Sequence, residues 1–297
     1  MNDAQLTIGI PTYNRSEAVT ARVEELLSFE APIEILVIDN ASPDDTFSVL
    51  NERFSAPNLR VLRNETNLGY AGNLLRVAEE SRTPFVTFVS DEDSVDPDGL
   101  RQLLDFCETT SPDMVSPQAE VGEKRIYRGR DTTRAIAPAE FQSSSYYLSG
   151  LTFATGPLRT DVELVRSLLA TNSAASVYPQ VLLAALAVAR GNAHFLAAHV
   201  TQQRHVLETA ITEVSGADYR SVASRWAQFL GYEEFFERHL PGDSSTVQEM
   251  RESQRAAVVG LVHRAMLTEV SGVGPYLPTP AKKSRLENAV ARLRRNS

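Results

Sequence analysis

Thr83-Pro-Phe-Val-Thr-Phe-Val-Ser-Asp-Glu-Asp-Ser94 is the stretch whose reading decides the fold. Its alternating Phe and Val, opened by Thr-Pro, predict a strand buried on both faces. The run stops at three consecutive acids, Asp91, Glu92 and Asp93. Carboxylates this close repel one another and gain nothing from burial, so something positive must offset them. On an extended chain Asp91 and Asp93 point one way and Glu92 the other. Two carboxylates on one side suit a hard divalent cation that keeps its other positions for water and phosphate oxygens. The competing reading is a solvated acidic turn ahead of a helix, with Asp96 as cap and Pro97 in the first turn.

The segments before this strand repeat one pattern. Leu6 to Ile10 alternates as a strand and is broken by Pro11-Thr12-Tyr13-Asn14-Arg15. Ser16 caps a helix to Phe29, with Val19, Val23, Leu26 and Leu27 along its apolar side. Ile33 to Ile38 is a second buried strand, followed by the polar run Asp39 to Asp45 and a short helix to Phe54. Leu59 to Leu62 is a third, followed by Asn64 to Tyr70 and a helix over Ala71 to Glu80. After the acids, Pro97 to Thr109 reads as a helix and Asp113 to Ser116 as a strand. This succession predicts an α/β fold with a doubly wound, mostly parallel sheet. Such sheets bind ligands beyond the carboxyl ends of their strands. The polar clusters Thr12 to Arg15, Asp39 to Asp44, Asn67 to Asn73 and Asp91 to Asp93 all fall at that edge, and their convergence favours the cation site over the solvated turn. Asp39 has the position of an acid that bonds a nucleoside, or else it caps its own turn.

Composition narrows the function classes. The chain has 297 residues and a net charge of −9, which argues against a nucleic-acid groove. The single cysteine, Cys107, excludes an internal disulfide framework and lies in register with Leu100, Leu103 and Leu104 as a buried apolar residue. Lysine is confined to Lys124, Lys282 and Lys283, and there is no G-x-x-x-x-G-K-[ST], so a P-loop is excluded. No G-x-G-x-x-G follows the first strand, which argues against a dinucleotide. Any phosphate chemistry must therefore use a metal, arginine or backbone amides. No signal-peptide pattern follows Met1, and the apolar stretch Val181 to Ala189 is too short to span a bilayer, so a cytoplasmic location is expected.

Taken in order, P-T-Y-N-R (Pro11 to Arg15), V-I-D-N-A-S-P-D-D-T (Val37 to Thr46), N-x-G (Asn67 to Gly69) and D-E-D (Asp91 to Asp93) resemble glycosyltransferase family 2, inverting enzymes of the GT-A fold that use nucleotide sugars. The likeness covers Leu6 to about Asp98 and rests on the ordered set, since no single piece is specific. It implies that Pro11, Thr12, Tyr13 and Arg15 border the base and ribose, that Asp39 bonds the nucleobase, and that Asn67 and Gly69 line the same pocket. Asp91 and Glu92 then lie on the donor side, and Asp91 with Asp93 matches the D-x-D pair that holds Mn2+ or Mg2+ against the donor diphosphate. A metal there would stabilise the charge of a departing nucleoside diphosphate, while a separate carboxylate deprotonates the acceptor hydroxyl. The expected donor is UDP- or dTDP-linked rather than GDP-linked, and the expected acceptor is a glycan or lipid-linked hydroxyl.

Beyond about Pro117 the likeness weakens. Glu120 to Ala137 carries Arg125, Arg128, Arg130 and Arg134, either a solvated excursion or a loop that meets acceptor phosphate. Ser149-Gly150-Leu151-Thr152-Phe153 resembles the family's S-G-x-x-F strand beside the acceptor. Where many relatives carry an acidic pair as base, this chain has Ser176-Val177-Tyr178-Pro179-Gln180, a Y-P segment similar to that of members that add deoxysugars to surface polysaccharides. Asp161 is the leading candidate for the base and Glu163 the next, with capping of the following helix as the alternative for Asp161. His205 could approach the leaving group, although the five histidines have no metal-ligand spacing.

Two long amphipathic helices follow, over Ala217 to His239 and Val247 to Glu269, for a subdomain contact or a dimer contact. The tail Ala281 to Arg295 sets six basic residues against Glu287 and carries Leu286, Ala289, Val290 and Leu293 as an apolar stripe. It reads either as a helix on the inner face of the membrane or as a solvated end. The expected division is a catalytic domain over 1–205 and a helical subdomain over 206–297. The rivals are a nucleotidyltransferase, which would need a Gly-rich basic loop after the first strand, and a non-catalytic glycan-binding relative. A receiver-like signalling domain would need an Asp after the third strand and a Lys after the fifth; the chain has neither.

Overall fold

The computed structural model describes residues 4–121, 125–126, 131–203, 219–240 and 244–271. Its first half runs β1 (Leu6–Thr12), α1 (Ser16–Leu27), β2 (Ile33–Asp39), α2 (Thr46–Arg53), β3 (Leu59–Arg63), α3 (Gly69–Glu80), β4 (Phe85–Phe88), β5 (Asp93–Val95), α4 (Pro97–Thr110) and β6 (Met114–Val121). The second half adds β7 (Arg125–Ile126), β8 (Arg134–Ala135), a 3-10 turn (Pro138–Glu140), α5 (Phe141–Ser145), β9 (Thr152–Ala154) and α6 (Thr155–Leu168). It continues through α7 (Ser173–Val177), α8 (Pro179–Ala189), β10 (Ala193–Gln203), α9 (Val222–Arg238) and α10 (Ser244–Ser271).

The strands form one mixed sheet in the order β3-β2-β1-β4-β9-β6-β10-β5. β1 to β4 pair in parallel, as the alternation of strand and helix requires. β1 and β2 are buried nearly throughout, whereas β3 at the sheet's edge is half exposed and carries Arg60 and Arg63 there. Alternate β2 residues feed opposite faces: Leu36 and Ile38 pack with α3, α6 and α8, and Ile33, Ile35 and Val37 pack with α1 and α4. β9 enters antiparallel between β4 and β6, an insertion beside the parallel strands that the sequence predicts.

The stretch Thr83 to Ser94 is not one strand. β4 ends at Phe88, Asp91 and Glu92 form a turn, and Asp93 opens β5, which pairs antiparallel with β10. The extended-chain argument that puts Asp91 and Asp93 on one side therefore lapses. β10, absent from the sequence-based expectation, pairs with β6 in parallel through irregularities on either side of His199. α6 begins at Thr155, directly after β9, so Asp161 lies within the helix and not at its cap. α9 and α10 contribute Tyr232, Phe235, Phe236, Met250 and Val258 to the same buried cluster as Phe88 and Phe153.

Candidate active site

The acids lie where β4 crosses over to β5, beyond the carboxyl ends of β1 and β2. Asp91 is buried; its Oδ1 accepts from Arg15 Nη1 at 2.8 Å and its Oδ2 from Thr12 Oγ1 at 2.7 Å. Arg15 also pairs with Glu92. Burial works against the Arg15 charge, but Asp91 and Glu92 more than offset it and raise its pKa. Asn14, in the left-handed region at φ 55°, turns the chain out of β1 so that Arg15 can reach back. Its N–H donates to Ser42 Oγ at 2.8 Å and ties the β1 and β2 loops together.

Asp93 sits differently. It is buried, and both described hydrogen bonds to its carboxylate come from hydroxyls to Oδ2: Tyr147 Oη at 2.6 Å and Ser149 Oγ. Burial pushes its carboxyl up to about 6, although the two hydroxyls pull the other way. Among the described residues no group of three His, Cys, Asp or Glu side chains converges as a complete metal cage. A cation here would need two carboxylates plus phosphate and water, the arrangement that favours Mg2+-like ions. An open cleft of about 1020 Å³ borders Arg15, Asp91 and Glu92 and extends along Arg22 and Glu25 of α1.

At the end of β2, Asp39 is fully buried and caps its own loop: Ser42 N–H lies 3.2 Å from Oδ1, and Arg63 Nε lies 3.3 Å from Oδ2. Beside it, Asn40 is the hub of an amide network. Its Nδ2 donates to Asn67 Oδ1 at 2.8 Å and to the Gly69 carbonyl at 3.2 Å. Its Oδ1 accepts from Asn64 Nδ2 at 2.7 Å and from Leu68 N–H at 2.9 Å. Gly69, at φ 71°, needs the freedom of glycine to open α3 there. Pro11 and Tyr13 are half-buried at the end of β1. The structure thus gathers Thr12, Arg15, Asp91 and Glu92 in one cluster and Asp39, Asn67 and Gly69 in the neighbouring loops.

Asp161 does not join them. It is buried on α6 and makes a two-pronged ion pair with Arg190, at 2.9 and 2.8 Å, which also binds Asp113 at 2.6 Å. Asp113 immediately precedes β6, which runs the same way as β4, so this triad stands at the opposite edge of the sheet from Asp91. Burial raises the Asp161 pKa, which would suit a base, but both oxygens are committed to Arg190. Glu163 is exposed on the same helix. His205 and Arg128, Arg130 and the tail lie outside the described residues. Tyr147, Ser149, Asn40 and Asn64 went unassigned in the sequence reading. Ser149 and Asn40 lie in quoted motifs, S-G-x-x-F and V-I-D-N-A-S-P-D-D-T, and Asn64 opens a polar run, whereas Tyr147 carries no signal.

The sequence model of Glycosyl transferase family 2 matches residues 7–162, and the chain belongs to that family. Among curated proteins, it is 27% identical over 115 residues to the poly(ribitol-phosphate) beta-N-acetylglucosaminyltransferase TarS of Staphylococcus aureus, covering 37% of this chain and 20% of TarS. It is 31% identical over 104 residues to a glycosyltransferase of Haemophilus influenzae, covering 35% of this chain and 34% of that one. The match therefore spans about a fifth to a third of these relatives' length. In fold, the crystal structure of TarS 1–349 with UDP-GlcNAc superposes with a TM-score of 0.63 at 17% identity, over 84% of this chain and 71% of that one. The mannosyltransferase PcManGT of Pyrobaculum calidifontis, with GDP-Man and Mn2+, gives 0.55 at 14% identity, over 97% and 80%. The fold is that of the GT-A glycosyltransferases.

Proposed function

We propose that the chain transfers a sugar from a nucleotide sugar to an acceptor hydroxyl, with inversion, using a divalent cation held at Asp91 and Asp93. The observation that carries this reading is the setting of Asp93, a desolvated carboxylate whose described hydrogen bonds come only from hydroxyls. Such a group gains most from a bound cation, so the residues fit Mn2+ or Mg2+. When bound, the cation would neutralise charge developing on the leaving diphosphate. The chain's own contributions are separate. Thr12 and Arg15 fix the Asp91 carboxylate, and Tyr147 and Ser149 aim that of Asp93. The Asn40 network holds Asn67 and Gly69 at the nucleoside side, with Asp39 kept in its loop by Ser42 and Arg63. A UDP- or dTDP-linked donor is favoured, a reading that the UDP-GlcNAc-bound TarS neighbour supports. The acceptor is a glycan or a lipid-linked hydroxyl, and its base comes from outside α6.

Asp91→Ala and Asp93→Ala should each abolish transfer and Mn2+-stimulated donor hydrolysis; full activity in either variant removes the metal role. Thermal shifts with UDP, dTDP and GDP in Mn2+ would rank the nucleotides. A non-catalytic glycan-binding role is favoured by one observation only, that Asp161 is locked in an ion pair. Donor hydrolysis by the intact chain would exclude it.

A further inference from the structure

Arg225, on α9, is a buried cation with no acid paired to it among the described residues. It is only 6% exposed. Arg15, Arg60, Arg190, Arg251 and Arg255 each pair with a carboxylate, whereas no described carboxylate bonds Arg225. Removing a guanidinium from water is costly unless opposite charge or full hydrogen bonding offsets it. Its hydrogen bonding is partial: both bonds leave from Nη1, to Tyr178 Oη at 3.0 Å and to Gln228 Oε1 at 2.8 Å. The guanidinium lies 5.8 Å from the Tyr178 ring centre and 5.3 Å from that of Tyr219. Nε and Nη2 carry no bond to a described residue. Ring contacts and one occupied corner therefore leave the two-pronged Nε–Nη2 edge without a partner among the described residues.

A chain of contacts links this guanidinium to the acids. Tyr178 Oη is 3.1 Å from Tyr146 Oη, with the rings 5.2 Å apart, and the next residue, Tyr147, bonds Asp93. Tyr178 also occupies the segment Ser176 to Gln180, in which no carboxylate occurs. A guanidinium fork matches two oxygens of a phosphate, and a tetrahedral group can also reach a phenol hydroxyl outside the plane of the fork.

We propose that Arg225, framed by Tyr178, Tyr219 and Tyr146, is a phosphate subsite beside the Asp93 rim. The phosphate is carried by the acceptor or by the donor diphosphate, an assignment that rests on the nucleotide-sugar reading, whereas the subsite does not. The test is calorimetric titration of the full chain with glycerol 1-phosphate and, separately, with UDP and uridine in Mn2+. Arg225→Gln should weaken glycerol 1-phosphate at least tenfold, leaving UDP within twofold, if the phosphate is the acceptor's. If it is the donor's, the tenfold loss falls on UDP and spares uridine. Arg225→Lys, which keeps charge but loses the fork, and Tyr178→Phe should fall between wild type and Arg225→Gln, and they carry the test if Arg225→Gln does not fold. Unchanged affinity for both phosphate probes in the folded variants overturns the subsite. A wild-type chain that binds glycerol 1-phosphate through Arg225 but no nucleoside diphosphate would leave the subsite standing and remove the nucleotide-sugar reading.

Discussion

At the scale of single residues, the two buried acids of the rim are held in different ways, and Asp93 carries the larger cost. Its carboxyl is pushed up to about 6, above an ordinary value of about 4 for an unfolded Asp. The unfolded chain thus releases this proton first as pH rises. The group's contribution to stability is complete below about pH 4, is lost between about pH 4 and pH 6, and stays lost above. The loss is on the order of 2–3 kcal/mol. Asp93→Asn keeps an acceptor for Tyr147 and Ser149 but removes the buried charge, so the metal-free variant should melt several degrees above wild type at pH 7.5 and show no rise with Mn2+. An equal or lower melting temperature contradicts the burial argument. For wild type, stabilisation by Mn2+ should fade below about pH 6 as protons compete for the site. Asp161→Asn should act in the opposite sense, weakening the Arg190 pair and lowering stability by roughly 2 kcal/mol. Its turnover per folded molecule should match wild type in a donor-hydrolysis assay. The sequence revealed the acids of the rim because consecutive carboxylates after an apolar run need a positive partner. It concealed the role of Asp161 because Arg190 and Asp113 are distant in sequence and meet it only through the sheet.

At the scale of elements, what positions the acids is the seam between α4, β5 and β10. Asp96 N–H donates to the Val200 carbonyl at 2.9 Å, and the Asp96 side chain caps α4 by accepting from Gly99 N–H at 2.7 Å. A Cβ on Gly99 would fall 1.5 Å from the His199 carbonyl oxygen, a backbone atom that a rotamer change cannot move. Gly99→Ala should therefore cost at least about 2 kcal/mol and, by shifting β5, weaken the Mn2+ response. Gly260 in α10 offers the contrast, because it lies inside the helix and a Cβ there meets nothing within 4 Å beyond its chain neighbours. Gly260→Ala should be neutral or stabilising by up to about 1 kcal/mol. Chemical denaturation of both variants would check that one substitution has opposite signs. The parallel elements were legible from unbroken apolar runs in β1 and β2. β10 was not: its residues Ala193 to Gln203 include two histidines and two glutamines, and its pairing is irregular around His199. Polar residues on a strand that crosses an active-site rim break the alternation that would announce it.

At the scale of the whole molecule, one buried cluster takes residues from both sides of the division expected near residue 205. Phe236 of α9 lies edge-on to Phe141 of α5 at 5.7 Å, and Met250 and Val258 of α10 are buried in the cluster that reaches Phe88. A fragment ending at 205 would uncover these contacts and should lose cooperative melting; a fragment that melts as sharply as the full chain would restore a domain boundary there. The charged tail, outside the described residues, poses the other question at this scale. Six basic residues against one acid between 281 and 295 are distributed around an apolar stripe, and each basic residue near an anionic surface contributes about 1 kcal/mol. Deleting residues 281–297 should therefore abolish sedimentation with vesicles containing anionic phospholipid, while neutral vesicles recover neither chain. The binding should also fall with added salt, since the attraction is screened. Trp226 and Leu230 of α9 and Val259 and Met266 of α10 are exposed and supply a competing apolar surface. If the tail lies on that face instead, the deletion leaves vesicle binding unchanged and increases hydrogen exchange in α9 and α10.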